Sequence, residues 1–322
     1  MRVFESNFTE EELSPLINII KKGEIGFGSN VSILENKFKK YSNCRYNIAT
    51  NSASASSFII FSYLKNKYGV CDVYTPSLAF ASPAWSAKHF GHNLIFVDVN
   101  DQLLFDCKHY KTVRKNTKNK KVVMPILYGG VSKINDWRLI GDEILVTDSA
   151  HCTTPKMQSH FYFFSFHPYK AICTSDGGMI STNDKEASNY FKNYRNFGRE
   201  NVKNTYDITQ DGFKFYMNNL NATLGLISLK KQKQLKMIRK NNFLKFKNVL
   251  PHDKYSSYYF ATRICDNAND LIKKYGFSRH YPMLHLTKYF QQNQSLKNTE
   301  KLYNSIINLP LHTTINENLY NS

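Results

Sequence analysis

Three short segments of this chain carry residue types that could do chemistry together. The first is Phe161-Tyr162-Phe163-Phe164-Ser165-Phe166-His167-Pro168-Tyr169-Lys170, running on into Ala171-Ile172-Cys173-Thr174-Ser175-Asp176-Gly177-Gly178-Met179. An aromatic strand delivers a serine, then a turn, then a lysine ahead of a double glycine. That is an unusual place for a lysine. With 43 Lys and Arg in the chain, a solvated side chain remains an open reading for Lys170 taken alone. The second segment is Ile144-Leu145-Val146-Thr147-Asp148-Ser149-Ala150-His151. Here an apolar strand ends in an aspartate, with a histidine three residues on. Asp148 is either a capping acid beside a surface His151 or a buried anion placed to hold a cation. The third is Thr50-Asn51-Ser52-Ala53-Ser54-Ala55-Ser56, small and hydroxyl-rich at a helix start. Free backbone N–H groups there, with the serine hydroxyls, could cradle an anion; an ordinary N-cap is the alternative.

The elements that must position these residues follow from periodicity. Helical spacing runs over 10–22, 31–40 and 54–66, and a long basic amphipathic helix over 218–250. Strand-like runs cover 73–74, 94–99, 122–128, 144–147, 161–166 and 179–181. Several are apolar on both faces, as in a sheet covered by helices on either side. The alternation predicts an α/β fold with a mainly parallel sheet. Ligands bind such sheets beyond the C-terminal strand ends, where Asp98, Asp148 and Ser165 fall. The pattern shortens after Pro251, which divides the chain into a large domain (1–250) and a small, shortened C-terminal one (251–322).

Composition narrows the class. The chain has 322 residues, 42% of them hydrophobic, and a formal charge of +18. No run approaches the ~20 apolar residues that span a bilayer. The start, Met1-Arg2-Val3-Phe4-Glu5, lacks the apolar core of a signal peptide. Six scattered cysteines (44, 71, 107, 152, 173 and 265) show neither C-x-x-C nor zinc spacing. These features predict a soluble cytoplasmic protein with free thiols, and no metal. Lysine greatly outnumbers arginine, so the charge reads as compositional drift and not as a nucleic-acid footprint.

In combination these segments resemble the DegT/DnrJ/EryC1/StrS family of pyridoxal-phosphate-dependent sugar aminotransferases. The family's Ser-Phe-His-Pro-x-Lys followed by Gly-Glu-Gly-Gly-Met is approached closely from Ser165 to Met179. Gly28-x-x-Val31-x-x-Leu34-Glu35, Ser52-Ala53-Ser54-Ala55, Pro76-Ser77-Leu78-Ala79-Phe80, Gly91 to Asp98, His280-Tyr281-Pro282 and Leu309-Pro310-Leu311-His312 also have counterparts, in consistent order. The resemblance implies the aspartate-aminotransferase fold (fold type I). It implies Lys170 as the Schiff-base lysine and proton shuttle, and Asp148 facing the pyridine nitrogen. His151 would lie near the 3-hydroxyl and Phe80 on the ring face. Ala53, Ser54 and Ser165 would hold the phosphate. The reaction implied takes an amino group from L-glutamate to a keto-deoxysugar on a nucleoside diphosphate, in a homodimer with shared sites. An aminocyclitol-type ketone or a non-catalytic role are the alternatives within the fold.

The chain departs from the family in places. Asn-Tyr-Arg-Met, which reaches the partner's site, reads Lys214-Phe215-Tyr216-Met217. Lys214 either replaces the Asn at the cofactor phosphate or is solvated, and Tyr216 alters the substrate pocket. The turn acid is Asp176, Ile126 replaces a histidine, and the stretch between His151 and Phe161 is shortened. His280, Tyr281 and His285 either contact the sugar nucleotide or pack the small domain.

Overall fold

The computed structural model describes residues 8–135, 137–292 and 294–312; the start Met1–Glu5 lies outside them. A seven-stranded sheet forms the centre. Its strands are β1 (Tyr46–Thr50), β2 (Cys71–Pro76), β3 (Asn93–Val97), β4 (Lys120–Val123), β5 (Ile144–Asp148), β6 (Phe161–Ser165) and β7 (Gly178–Thr182), in spatial order β1-β7-β6-β5-β4-β2-β3. Strands β2 to β6 pair in parallel, and β7 runs antiparallel to both β6 and β1. The sheet is therefore mainly parallel, with β7 the reversed member.

Successive side chains of β6 enter opposite layers, as the period of two requires. Phe161 and Phe163 pack with Ile59, Ile60, Leu64 and Phe191, from helices α3 (Ala53–Tyr68) and α6 (Lys185–Tyr194). Tyr162 and Phe164 pack with Val31, Leu34, Phe38 and Leu229, from α2 (Ser29–Ser42) and α7 (Asn219–Lys245). Helices thus cover both faces, and the inner strands are buried throughout.

The C-terminal stretch adds a two-stranded sheet, β10 (Ala261–Ile264) with β11 (Ile306–Leu309), and helices α8 (Ala268–Tyr275) and α9 (Lys297–Tyr303). It has a core of its own around Phe246, Ala261, Phe277 and Ile307. Tyr259, Phe260, Leu284 and Leu302 instead join a cluster with Tyr74, Phe96 and Leu145 of the main sheet. An exposed hairpin, β8 (Arg199–Val202) and β9 (Thr205–Ile208), projects between α6 and α7. Helices α1 (Ser14–Lys21), α4 (Ala81–His89) and α5 (Cys107–Val113) complete the chain.

Two elements differ from the periodicity. The run 122–128 is a strand only to Val123, because Pro125 has no N–H to continue a ladder. The backbone still pairs with Asp148 on either side of Ile126, and Tyr128–Gly130 then turns. The long helix ends at Lys245, five residues before Leu250, because Phe246 leaves it to enter the C-terminal core. All six cysteines are free thiols. Among the described residues no helix is long and apolar enough to cross a membrane.

Candidate active site

A cavity of about 460 Å³ opens at the C-terminal ends of the parallel strands. The two strand ends that matter are adjacent in register. Asp148 closes β5 opposite Phe163, and Ser165 closes β6 opposite Gly178 of β7. Asp148, Ser165 and Lys170 therefore face one space, together with Ser52, Ala53 and Ser54 at the start of α3 and Phe80 at the start of α4. Ser52 caps α3, its hydroxyl accepting from Ala55 N–H at 3.0 Å. The remaining first-turn N–H groups lie at the cavity, where the positive end of a 16-residue helix favours an anion.

The double glycine has a steric reason. A Cβ on Gly178 would stand 2.5 Å from the Ser52 carbonyl carbon and oxygen, so only glycine lets β7 press against the start of α3. A Cβ on Gly177 would collide with Thr174 and Met217. The turn between them and Ser165 is tight: Lys170 N–H donates to the His167 carbonyl at 2.8 Å and Phe166 N–H to that of Gly177 at 2.8 Å.

Burial tunes both charged groups. The Asp148 carboxyl is 5% exposed and accepts from Ala150 N–H at 2.9 Å. Burial pushes it up to about 6 from 3.8, against that hydrogen bond and the attraction of Lys170. Burial likewise lowers Lys170 to about 7, with Asp148 pulling it back up. Lys170 is partly buried as a residue, and it lines the cavity. His151 is buried, its Nε2 paired with the Tyr281 hydroxyl at 2.7 Å, and its Nδ1 has no partner among the described residues. Its imidazole stacks on the Tyr281 ring, and burial holds it well below its ordinary value, hence neutral.

The family model for the DegT/DnrJ/EryC1/StrS aminotransferases matches residues 6–320. The chain belongs to that family. It is 24% identical to the spore coat polysaccharide biosynthesis protein SpsC of Bacillus subtilis, over 96% of this chain and 91% of that one. It is 23% identical to UDP-4-amino-4-deoxy-L-arabinose–oxoglutarate aminotransferase of Shewanella sediminis, over 95% and 92%. The PLP-form of Spr1654 from Streptococcus pneumoniae superposes with a TM-score of 0.84 at 21% identity, covering 100% of this chain and 96% of that one. The fold is that of the fold type I enzymes, and the chain is a pyridoxal-phosphate-dependent aminotransferase.

The cavity suits that cofactor. Its dianionic phosphate matches the N-terminus of α3 beside the hydroxyls of Ser54 and Ser165. The raised Asp148 carboxyl is a buried acid lacking a strong cation, which a protonated pyridine nitrogen would supply. Phe80 leaves an aromatic ring 58% exposed at the cavity wall, free to cover a flat ring.

The other expected residues divide between the cavity and the rest of the fold. Lys214 is exposed and lies outside the cavity lining of its own chain; its carbonyl accepts from Asn51 Nδ2 at 3.3 Å. Tyr216 pairs by its backbone with Thr50, and its ring meets Phe27. Asp176, His280 and Tyr281 line the cavity. His285 does not: it is fully buried, with Nδ1 2.6 Å from Ser77 Oγ and Nε2 3.4 Å from Glu300. Asp98, read as a ligand-side strand end, is a structural acid. It accepts from the N–H groups of Val99, Asn298 and Thr299 at 2.7–2.9 Å, which ties the first turn of α9 to the sheet. Sequence reasoning missed Tyr259, which lies against Lys170. Its aromatic run, Tyr258-Tyr259-Phe260, was the available signal.

Proposed function

We propose that this enzyme transfers the amino group of L-glutamate to a keto-deoxysugar carried by a nucleoside diphosphate, in a route to amino sugars of surface polysaccharide. The observation that carries the reading is the meeting of Asp148, Lys170 and the open start of α3 in one cavity. The relatives' names support the substrate class: one pairs a UDP-linked amino sugar with oxoglutarate, and one belongs to polysaccharide biosynthesis.

Bound pyridoxal phosphate supplies an aldehyde that takes up the amino group and a ring that draws electrons from the adjoining carbon. The chain's residues do the rest. Lys170 Nζ, poised between neutral and protonated near pH 7, anchors the cofactor and then carries a proton to and from the substrate carbon. Asp148 would hold the ring nitrogen protonated, His151 would serve the 3-hydroxyl, and Phe80 would cover the ring face. Ala53 and Ser54 N–H groups, with Ser54 and Ser165 hydroxyls, would bind the phosphate. Lys214, exposed and outside the lining of its own cavity, serves the site of a second subunit. An exposed apolar surface near it, including Phe27, Ile208 and Phe213, supports a homodimer. The free thiols support a cytoplasmic setting. Residues 1–250 would form the cofactor domain, and 251–322 a small domain that brings Tyr259, His280 and Tyr281 over the cavity; 1–7 and 313–322 lie outside the described residues.

Purified protein is expected to show a cofactor-dependent visible band that glutamate bleaches and that Lys170→Ala lacks. Failure to take up pyridoxal phosphate, or a band that survives Lys170→Ala, overturns the assignment. Glutamate-treated protein mixed with a panel of keto-sugar nucleotides should regain the band in a single turnover. If only free sugars or other ketones restore it, the nucleotide-sugar reading is wrong.

A further inference from the structure

Tyr259 lines the cavity without a role in the scheme above. Its seat is built by glycine. Tyr259 N–H donates to the Gly129 carbonyl at 3.0 Å, and Ser257 N–H to that of Gly130 at 2.7 Å. Gly129 and Gly130 take φ of +67° and +94°, in the left-handed region that favours glycine. A Cβ on Gly130 would stand 2.8 Å from the His151 carbonyl oxygen and 3.0 Å from Tyr259 N. The turn after β4 thus lets residue 259 approach the strand-end cavity closely. Its ring centroid lies 4.3 Å from Lys170 Nζ and 4.5 Å from the His151 ring. Among the described residues the Lys170 amine makes no hydrogen bond, so this ring is a principal neighbour.

We propose that Tyr259 is a positioning residue whose ring face holds the protonated amine of Lys170 at the cavity wall whenever that amine is free of cofactor. An aromatic face is electron-rich and attracts an ammonium ion, more strongly where water is excluded. It cannot take the proton, as a carboxylate in its place could. The phenol stays neutral because burial holds it above its ordinary value, against the opposing pull of the Arg239 guanidinium on α7. Asp148 at the end of β5 adds a second attraction. His151, His167 in the lysine's own turn and His280 are all held below the ordinary imidazole value by burial, so they stay neutral near pH 7 and do not repel. Tyr281 is held neutral by burial, and Asp176 stands on the neighbouring turn. Ring and carboxylate together oppose the burial that strips the proton, and they keep the amine both aimed and able to titrate near neutrality.

The inference rests on Lys170 being the cofactor lysine, yet it is read on the amine itself. Full-length protein freed of cofactor is labelled with trace acetic anhydride from about pH 5 to about pH 10, and modification of Lys170 is followed by mass spectrometry. The unmodified chain should titrate near 7. Tyr259→Phe keeps the ring and should keep the midpoint. Pentafluorophenylalanine placed at 259 keeps the shape but reverses the ring's polarity; it should lower proton affinity by roughly three- to thirty-fold. Equal midpoints for the Phe and fluorinated proteins overturn the proposal. So does an equal fall in Tyr259→Phe, which would assign the effect to the hydroxyl. Neither result bears on which lysine carries the cofactor, which the visible band of Lys170→Ala decides.

Discussion

Asp148 and Lys170 share a cavity in which each is displaced from its ordinary charge state, the acid upward to about 6 and the amine downward to about 7. Each mitigates the other, so removing one must move the other. In cofactor-free Asp148→Asn the Lys170 amine loses its attraction and should titrate below 7, read by the same labelling. Stability should respond as well. Between 3.8 and about 6 the folded Asp148 retains a proton that the unfolded chain releases. Its contribution to stability is therefore full below that window and is lost as pH rises through about 6. Urea unfolding of the cofactor-free proteins should show this fall in the unmodified chain and not in Asp148→Asn. With cofactor present, an opposite charge ~4 Å from the carboxylate is worth about 4 kcal/mol at an effective dielectric near 20. Asp148→Asn should accordingly slow turnover by about a thousandfold. A variant with unchanged pH slope and unchanged turnover would remove Asp148 from its proposed place.

At the scale of elements, strand ends present acids to opposite duties. Asp148 ends β5 in the cavity, whereas Asp98, just beyond β3, spends its oxygens on Val99, Asn298 and the backbone and hydroxyl of Thr299. Asp98→Ala leaves those donors buried beside an apolar methyl and should cost about 3–5 kcal/mol of stability by urea unfolding. The cofactor band should persist, because Asp98 does not line the cavity. Loss of the band in folded protein would return Asp98 to the site. Position alone could not separate the two acids in the sequence, since the partner of Asp98 lies 201 residues away. The same limit hid Tyr259, placed by a turn some 130 residues before it. The legible parts were local: the continuous apolar runs of β5 and β6, and the Ser165 to Gly178 segment that brings a hydroxyl, a lysine and a tight turn together. β1, with Asn47 among its few apolar residues, and the short β10 and β11 gave too little periodicity to read. The end of α7 was overrun because no glycine or proline stands between Gly225 and Pro251; burial of Phe246 decides it.

For the whole molecule, the position of Lys214 turns the proposed dimer into a test of site composition. Lys214 sits on the exposed side of the chain beside Phe213, which is 51% exposed, and near the β8–β9 hairpin with Tyr206 and Ile208 uncovered. In a symmetric dimer the same patch meets itself, so each chain would lend Lys214 to the other's cavity. Lys170→Ala protein should then be inactive, and Lys214→Ala protein weakened in phosphate binding. In a mixed dimer of the two, one cavity combines both defects. The other pairs an intact Lys170 with an intact Lys214. Free subunit exchange at equal concentrations makes half the dimers mixed, each with one good site, so about a quarter of unmodified activity should return above the residual Lys214→Ala rate. If Lys214 is merely one more solvated lysine of the +18 surface, Lys214→Ala protein is already fully active. Mixing then only dilutes it. Steady-state rates of the two parents and of the equilibrated mixture distinguish these outcomes, and an active Lys214→Ala parent retires the shared-site assignment for this residue.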